Sequence, residues 1–563
     1  MAIETPQVIG RQASSGKRLP RLAQAVEAIN QSSGRALFGI VVFYAVLVLP
    51  LAMLKLLWAD EFITYYIAKL DSLHAIWNAL ARGVDPNPPA MHVLVMWSMR
   101  LFGDSELAVR LPAILACLLG VVCLFLFLRR RVPVVYAAAG ACFFMATAAI
   151  NYAYESRSYA LILAFSMLSM LMWQESIEGR HQRLASVMLA IALAAGISSN
   201  YFAVLSFFPI AAGELARDLK RRKIEWRVWI ALAVGGLPFL FFLPLINHAI
   251  VQFAPHAWNK ATADVIPDSY TEMVEVILGP ALVIFALGAG HYFYERKKQS
   301  VKPAILPRHE FVAVFLMLLY PMLGYVLAVA RAGMMSPRFV LPVCWGFAIA
   351  SVVICYRVFA KNAVAAGLLL VLFFSWALAR DGFCAYDYVM QRYAFDRVLQ
   401  SIPPANTLVV ADSLLVQPLY HYSSPEVAVR MVFPIDFRLI DRYKREDSLE
   451  QNFWAGRKVF PVPIVSFQDL KQQYPGYVIV AADHNWLLQK FEVDGEPAKE
   501  LDVQTHSRDI GGFTPLSHGA TYFFEVGNAL PWDMQYATTQ QNSSMANFSR
   551  APRGRVGGRG MQQ

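Results

Sequence analysis

The chain has 563 residues, 57% of them hydrophobic and only 16% charged, whereas soluble domains carry about 25% charged residues. Repeated apolar runs of bilayer-spanning length exclude one soluble core and point to an α-helical polytopic membrane protein. The formal net charge of +10 does not signal nucleic acid, because the basic residues stand in short clusters between the apolar runs, where membrane topology uses them.

Residues 1–35 are polar and basic, with Arg11, Lys17, Arg18, Arg21 and Arg35. They are too long and too polar for a cleaved signal peptide and read as a cytoplasmic tail. The first span is expected at 36–57. Residues 58–106 then form a large outer loop, rich in Trp, Pro and charge. Its apolar stretch 91–102 is short and broken by Arg100, so it reads as an interfacial helix. Further spans are expected at 107–128, 132–150, 159–175, 184–198, 201–216, 228–250, 273–294, 311–330, 339–355 and 363–379, about 11 helices in all. With the N-terminus inside, the cytoplasmic loops are 129–131, 180–183, 217–223, 295–308 and 357–361, each net basic, as the positive-inside rule requires. Together these segments make 36–380 the transmembrane domain.

Beyond it the hydropathy changes. Residues 381–530 read as an extracytoplasmic α/β domain, with strands at 407–411 (TLVVA), 477–481 (YVIVA) and 520–526 (ATYFFEV) and a helix at 485–491. The odd number of spans puts it outside. The tail from 531 to 563 is rich in Gln, Asn, Gly and Arg and reads as disordered. Of the six cysteines, Cys117, Cys123, Cys142, Cys344 and Cys355 lie in apolar runs and Cys384 stands apart, with no disulfide or metal-type spacing.

Four polar motifs fall on the outer side. Asp60-Glu61 follows the first span, where partial desolvation raises a carboxylate toward a useful base; charges also flank spans simply because water begins there. Glu155-Ser156-Arg157-Ser158-Tyr159 offers a carboxylate and a forked phosphate partner, or a local ion pair. Asp85-Pro86-Asn87-Pro88-Pro89 makes a rigid extended entry or a plain turn. Ser336-Pro337-Arg338-Phe339 supplies an arginine for a lipid phosphate, or one that snorkels. The chain lacks a GxxxxGK[ST] loop, a zinc-type His/Cys set and a GxSxG elbow, so ATP-driven transport and serine hydrolysis are not indicated. His74, His92 and His256 have no ligand spacing.

The order of these motifs resembles a known family. Trp58-Ala59-Asp60-Glu61-Phe62-Ile63-Thr64 is followed by Asn87-Pro88-Pro89 and by Leu101-Phe102-Gly103-Asp104-Ser105-Glu106-Leu107-Ala108-Val109-Arg110-Leu111-Pro112. Glu155-Ser156-Arg157-Ser158-Tyr159-Ala160-Leu161 comes after one cytoplasmic turn, and Pro337-Arg338-Phe339 much later. The chain is similar to the GT-C membrane glycosyltransferases, in particular the dolichyl-phosphate-mannose protein mannosyltransferases and the bacterial aminoarabinose transferases of lipid A. The motif order is best kept over 36–157.

The resemblance implies transfer of a sugar from a polyprenyl-phosphate donor to a lipid, glycan or protein acceptor at the outer face of a plasma (bacterial inner) membrane. Asp60 matches the family's essential acid. Glu155 takes the place of a second outer carboxylate, often Asp in relatives, which orients the acceptor, assists Asp60 or shares a divalent metal ion. Glu61, Arg157 and Arg338 are expected to serve substrate binding. The family's late Arg-Tyr is Arg338-Phe339 here, so a tyrosine hydroxyl has no counterpart. A transporter or lipid flippase would need acids within its spans, which are nearly free of them. A silent assembly subunit stays open, as do the sugar and the acceptor.

Overall fold

The structure, a computed structural model, describes residues 21–297, 304–359, 362–482, 485–506, 515–516 and 519–527. The expected disordered tail, 531–563, and most of the expected cytoplasmic tail lie outside them. The described chain divides into two compact units, one of Met1–Met53, Pro86–Pro255 and Asn259–Ala385, the other of Leu54–Asp85, His256–Trp258 and Tyr386–Gln563.

The first unit is helical. Its elements in chain order begin with α1 (Arg21–Asn30) and α2 (Ser33–Leu54); α3 (Ala59–Ala68) and α4 (Leu73–Ala81) belong to the second unit. There follow α5 (Ala90–Phe102), α6 (Glu106–Leu128), α7 (Val134–Met145), α8 (Tyr159–Glu178), α9 (Gln182–Ser199), α10 (Phe207–Arg221), α11 (Trp226–Gly235), α12 (Leu237–Phe241), α13 (Leu243–Phe253), α14 (Val265–Lys297), α15 (Arg308–Leu318), α16 (Tyr320–Leu327), α17 (Val343–Phe359) and α18 (Ala363–Gln400). Among the described residues six helices are long and apolar enough to cross a membrane, or nine if each of three bent pairs is one span. The expected count of 11 is not confirmed among them. The expected span at 201–216 opens as a 3-10 turn and continues in α10, which carries Glu214, Arg217 and Asp218. The one at 339–355 is α17, only 17 residues long, about 25 Å at 1.5 Å per residue against a hydrocarbon core of about 30 Å. The bends at 75°, 55° and 61° interrupt segments that read as continuous apolar runs.

Local chemistry explains the packing at the start of α6. Pro112 has no N–H to give the carbonyl of Ala108, and Ser98 Oγ donates to that carbonyl instead, at 2.5 Å. Arg110, fully buried, donates to the carbonyl of Ala52 at 2.7 Å, one of the unpaired acceptors at the end of α2. Deeper in the bundle Gly120 admits Trp345 of α17: a Cβ there would lie 2.9 Å from the indole. Trp345 stacks on Phe144 with ring centroids 3.8 Å apart and donates through Nε1 to the carbonyl of Leu163 at 3.1 Å. Three helices thus meet on one aromatic side chain.

The second unit holds a six-stranded sheet of β1 (Leu408–Val410), β2 (Met431–Ile435), β3 (Ile464–Ser466), β4 (Tyr477–Ala482), β5 (Lys499–Thr505) and β6 (Ala520–Val526), in the order β3-β2-β1-β4-β6-β5. The first four strands are parallel, and β6 runs antiparallel to both β4 and β5. Every residue of β4 is buried, as suits a central strand covered on both faces. The helix expected at 485–491 runs Trp486–Asp494, with Asn485 accepting from Leu487 N–H as its cap at 2.9 Å.

Candidate active site

The Glu155 motif lies in the first unit. After α7 the chain turns through a 3-10 helix, Ala148–Tyr154, and Glu155 leaves it in an extended conformation, φ −126°, ψ 126°. Glu155, Ser156, Arg157 and Ser158 are all buried. Charged groups tolerate this only with partners or a ligand to satisfy them, and the backbone here is tied down accordingly. Ser156 Oγ donates to the carbonyl of Val109 at 3.0 Å, which fastens the motif to α6. Asn200 Nδ2 donates both to Ser158 Oγ and to Asn87 Oδ1, each at 3.1 Å. The Asn-Pro-Pro loop, the Glu155 loop and the turn after α9 are therefore joined through one amide. Asn87 is a tie holding the site's backbone, a role between the rigid entry and the plain turn expected for its motif.

Arg338 arrives on a short 3-10 turn, Pro337–Val340, and is buried. Its guanidinium carbon lies 5.4 Å from the centre of the Tyr159 ring, a cation–π distance. Tyr159 meets Tyr152 edge-on at 5.2 Å. Phe339 stacks on Phe202 at 4.6 Å and on Tyr159 at 6.4 Å. The ring at 339 thus has an aromatic packing role that needs no hydroxyl.

Glu155 and Arg338 both act electrostatically on Tyr152, as does Glu272 of α14. Glu272 has access to solvent, yet the protein around it raises its carboxyl above the ordinary range; Arg338 pulls the other way and Asp268 adds to the rise. Motif reading missed Tyr152, Asn200 and Glu272. Asn200 carries a legible signal, a polar residue closing an apolar helix, and it also caps the following turn by accepting from Phe202 N–H at 2.9 Å. Glu272 carries none, because acids before a span are ordinary.

Asp60 and Glu61 lie in the second unit, in the first turn of α3. Trp58 is extended and starts the helix by accepting from the N–H groups of Glu61, at 2.9 Å, and Phe62, at 3.1 Å. Acids in this turn face the positive end of the helix dipole. Glu61 is fully buried and Asp60 half-buried, so of the two it is Asp60 that a reactant can reach. The helix is fixed by α19 (Val416–Tyr422) of the α/β unit. Phe62 and Tyr65 lie 5.0 and 5.3 Å from the His421 ring, and Tyr422 Oη accepts from Leu57 N–H at 2.9 Å.

Among the described residues one set of metal-type donors is assembled, Glu178, His309 and Glu310, with ligand atoms within 4.8 Å of one another. It does not include Glu155. Arg131 stands among these carboxylates, with Nε 2.7 Å from Glu310 Oε2 and a terminal nitrogen 2.7 Å from Glu178 Oε2. Gln174 Nε2 also donates to Glu310, at 2.9 Å. A guanidinium thus supplies the positive charge there.

Residues 86–248 match the family described as dolichyl-phosphate-mannose-protein mannosyltransferase. The whole fold is similar to that of ArnT from Cupriavidus metallidurans in the apo state, with a TM-score of 0.52 at 13% identity, covering 87% of this chain and 98% of that one. It is similar also to the same protein bound to undecaprenyl phosphate, with a TM-score of 0.50 at 12% identity, covering 86% and 97%. No curated protein matches the chain significantly in sequence. The chain thus shares the fold of the ArnT structures and carries several helices long and apolar enough to cross a membrane. Over residues 86–248 the chain is similar to the mannosyltransferase family, the region that also holds the Asn-Pro-Pro and Glu155 motifs.

Proposed function

We propose that the protein is a membrane glycosyltransferase that moves a sugar from a polyprenyl-phosphate donor to an acceptor on the outer face of the membrane. The observation that carries this reading is two buried arginines, Arg157 two residues from the buried Glu155, and Arg338 against the Tyr159 ring and, with Glu155, acting on Tyr152. Permanent forked cations out of bulk water are suited to a phosphate monoester. The similar ArnT structure with undecaprenyl phosphate supports a lipid-linked donor. Outside the cytoplasm no nucleotide sugar is at hand, so the donor arrives already activated.

In the transfer, the acceptor's oxygen or nitrogen bonds to the anomeric carbon while the bond from that carbon to the phosphate oxygen breaks. The electron pair leaves with polyprenyl phosphate, whose extra charge Arg157 and Arg338 stabilise. Asp60 takes the proton from the acceptor. One displacement inverts the anomeric centre. Glu155 orients the acceptor or steadies the arginines.

Donor titrations of Arg157→Ala, Arg338→Ala and the matching Lys variants test this. If the arginines act on the leaving phosphate, the rate at saturating donor falls, more for Ala than for Lys. If they only anchor the donor, the apparent KM rises and the saturated rate holds. Unchanged kinetics in every variant would remove phosphate recognition from the proposal.

A further inference from the structure

In the first unit, a cavity of about 410 Å³ opens between α1, α2, α7 and α18, a volume within the range of ligand sites. Its walls are apolar: Ile29 of α1, Ile40 and Phe43 of α2, Cys142 of α7, and Leu370 and Phe374 of α18. At its rim stands Arg35, exposed and in no ion pair among the described residues.

The cavity is built rather than left over. Helix α1 is held at one end by Asn30, whose Oδ1 accepts from Val135 N–H in the uncapped first turn of α7, at 3.0 Å. Along its length it lies close on α18, where a Cβ on Gly367 would meet Leu22 and Val26 at 2.9 Å. Phe43 and Phe374 stack at 4.2 Å and line the cavity. Gly39 lines it too, and a Cβ there would have nothing within 4 Å. The apolar residues beside it on α2, Phe38 and Val42, are exposed, as on a helix surface in contact with lipid.

We infer that this cavity holds one acyl chain of an anionic phospholipid, with its phosphate against Arg35. Charge complementarity selects this occupant. A cation at the mouth of an apolar slot on a membrane helix matches the layout of a lipid, and an anionic headgroup gains most from it. The donor's phosphate is a separate matter: α7 alone, 12 residues from Val134 to Met145, spans about 18 Å between the end where α1 is pinned and the turn leading to Glu155. The inference stands whichever way the protein is oriented. In the orientation expected from the basic loops, the leaflet is the cytoplasmic one.

Native mass spectrometry of the purified full chain tests it, titrating phosphatidylglycerol and phosphatidylcholine of identical acyl chains. Wild type retains one phosphatidylglycerol, preferred over phosphatidylcholine by about fivefold, the scale of one cation near an anionic headgroup. Gly39→Phe puts a ring into the open space and loses both adducts. It also replaces a helical glycine with a better helix former, so folding is not the cause, and an unchanged melting temperature verifies this. Gly39→Ala keeps the adduct. Arg35→Ala keeps an adduct but equalises the two lipids. Three results overturn the inference: no retained lipid in wild type, the same adducts in Gly39→Phe as in wild type, or displacement of phosphatidylglycerol by polyprenyl phosphate at this cavity. Failure here leaves the donor titrations of Arg157 and Arg338 untouched, since those read the other end of the unit.

Discussion

At the residue scale, the two neighbouring acids at the start of α3 have opposite environments. Glu61 is fully buried while Asp60 is half-exposed, as expected for adjacent helical positions about 100° apart. Asp60→Asn is expected to insert and fold normally and to lose transfer by roughly 10²-fold or more, the scale of a lost general base. Glu61→Gln should act more mildly on the rate. Single-turnover assays on both variants separate them, and near-wild-type activity in Asp60→Asn would remove that residue from the chemistry. Glu272 makes a pH prediction. Its carboxyl is raised in the folded protein, chiefly by partial desolvation although the side chain keeps access to solvent, against the pull of Arg338. The folded state therefore binds more protons than the unfolded one between the ordinary carboxylate range and the raised value. Stability falls as pH rises through that window and its loss is complete above it. Glu272→Gln should melt higher than wild type at neutral pH, with the advantage gone in acid below the ordinary range. Melting curves of the two proteins from about pH 4 to about pH 8, roughly the carboxylate to the neutral range, check the sign.

At the element scale, α3 depends on the sheet-bearing unit. Leu57 is buried, and its N–H is accepted by Tyr422 Oη at 2.9 Å. Tyr422→Phe strands that donor, at a cost of about 1–3 kcal/mol. The expected outcome is a lower melting temperature and a lower saturated rate with little change in donor KM, since the arginines proposed to bind phosphate are in other segments; an unchanged rate would deny α19 a part in placing Asp60. This dependence could not be read from the motifs, because residues 57 and 422 are far apart in sequence. What was legible followed from periodicity. The alternating burial of β6 and the apolar run of β4 answer to the segments ATYFFEV and YVIVA. Strand β2, MVFPI, is not among the expected strands, and it contains a proline. The ladder accommodates it: β2 pairs with β1 only at Met431 and Val432 and with β3 from Phe433 onward. Phe433 N–H points to β3, donating to Pro463, so the N–H that Pro434 lacks would face the side where β1 has ended. Likewise the bends in the apolar runs come from chain breaks within hydrophobic sequence, which hydropathy does not register. Arg157, Arg338 and Glu155 were legible as motifs. Their burial, and the aromatic wall around Arg338, were not.

At the scale of the whole molecule, the orientation we propose from the basic loops has the N-terminus in the cytoplasm and the α/β unit outside. A cysteine at Val493, exposed on the helix Trp486–Asp494, reads this with little background, because all six native cysteines are buried. An impermeant maleimide should label Val493→Cys on intact cells, and labelling only after permeabilisation would reverse the orientation. The proposed chemistry needs that orientation, since a lipid-linked donor is the form of activated sugar available on the far side. The central claim is the transfer itself. Its most direct test is to incubate the purified protein with polyprenyl-phosphate sugars and membrane-derived acceptors and to follow free polyprenyl phosphate by mass spectrometry. The expected result is acceptor-dependent release of polyprenyl phosphate by wild type, with a glycosylated product of matching mass, and almost none by Asp60→Asn; equal release by the two proteins, or none by wild type across the donor set, would contradict the account.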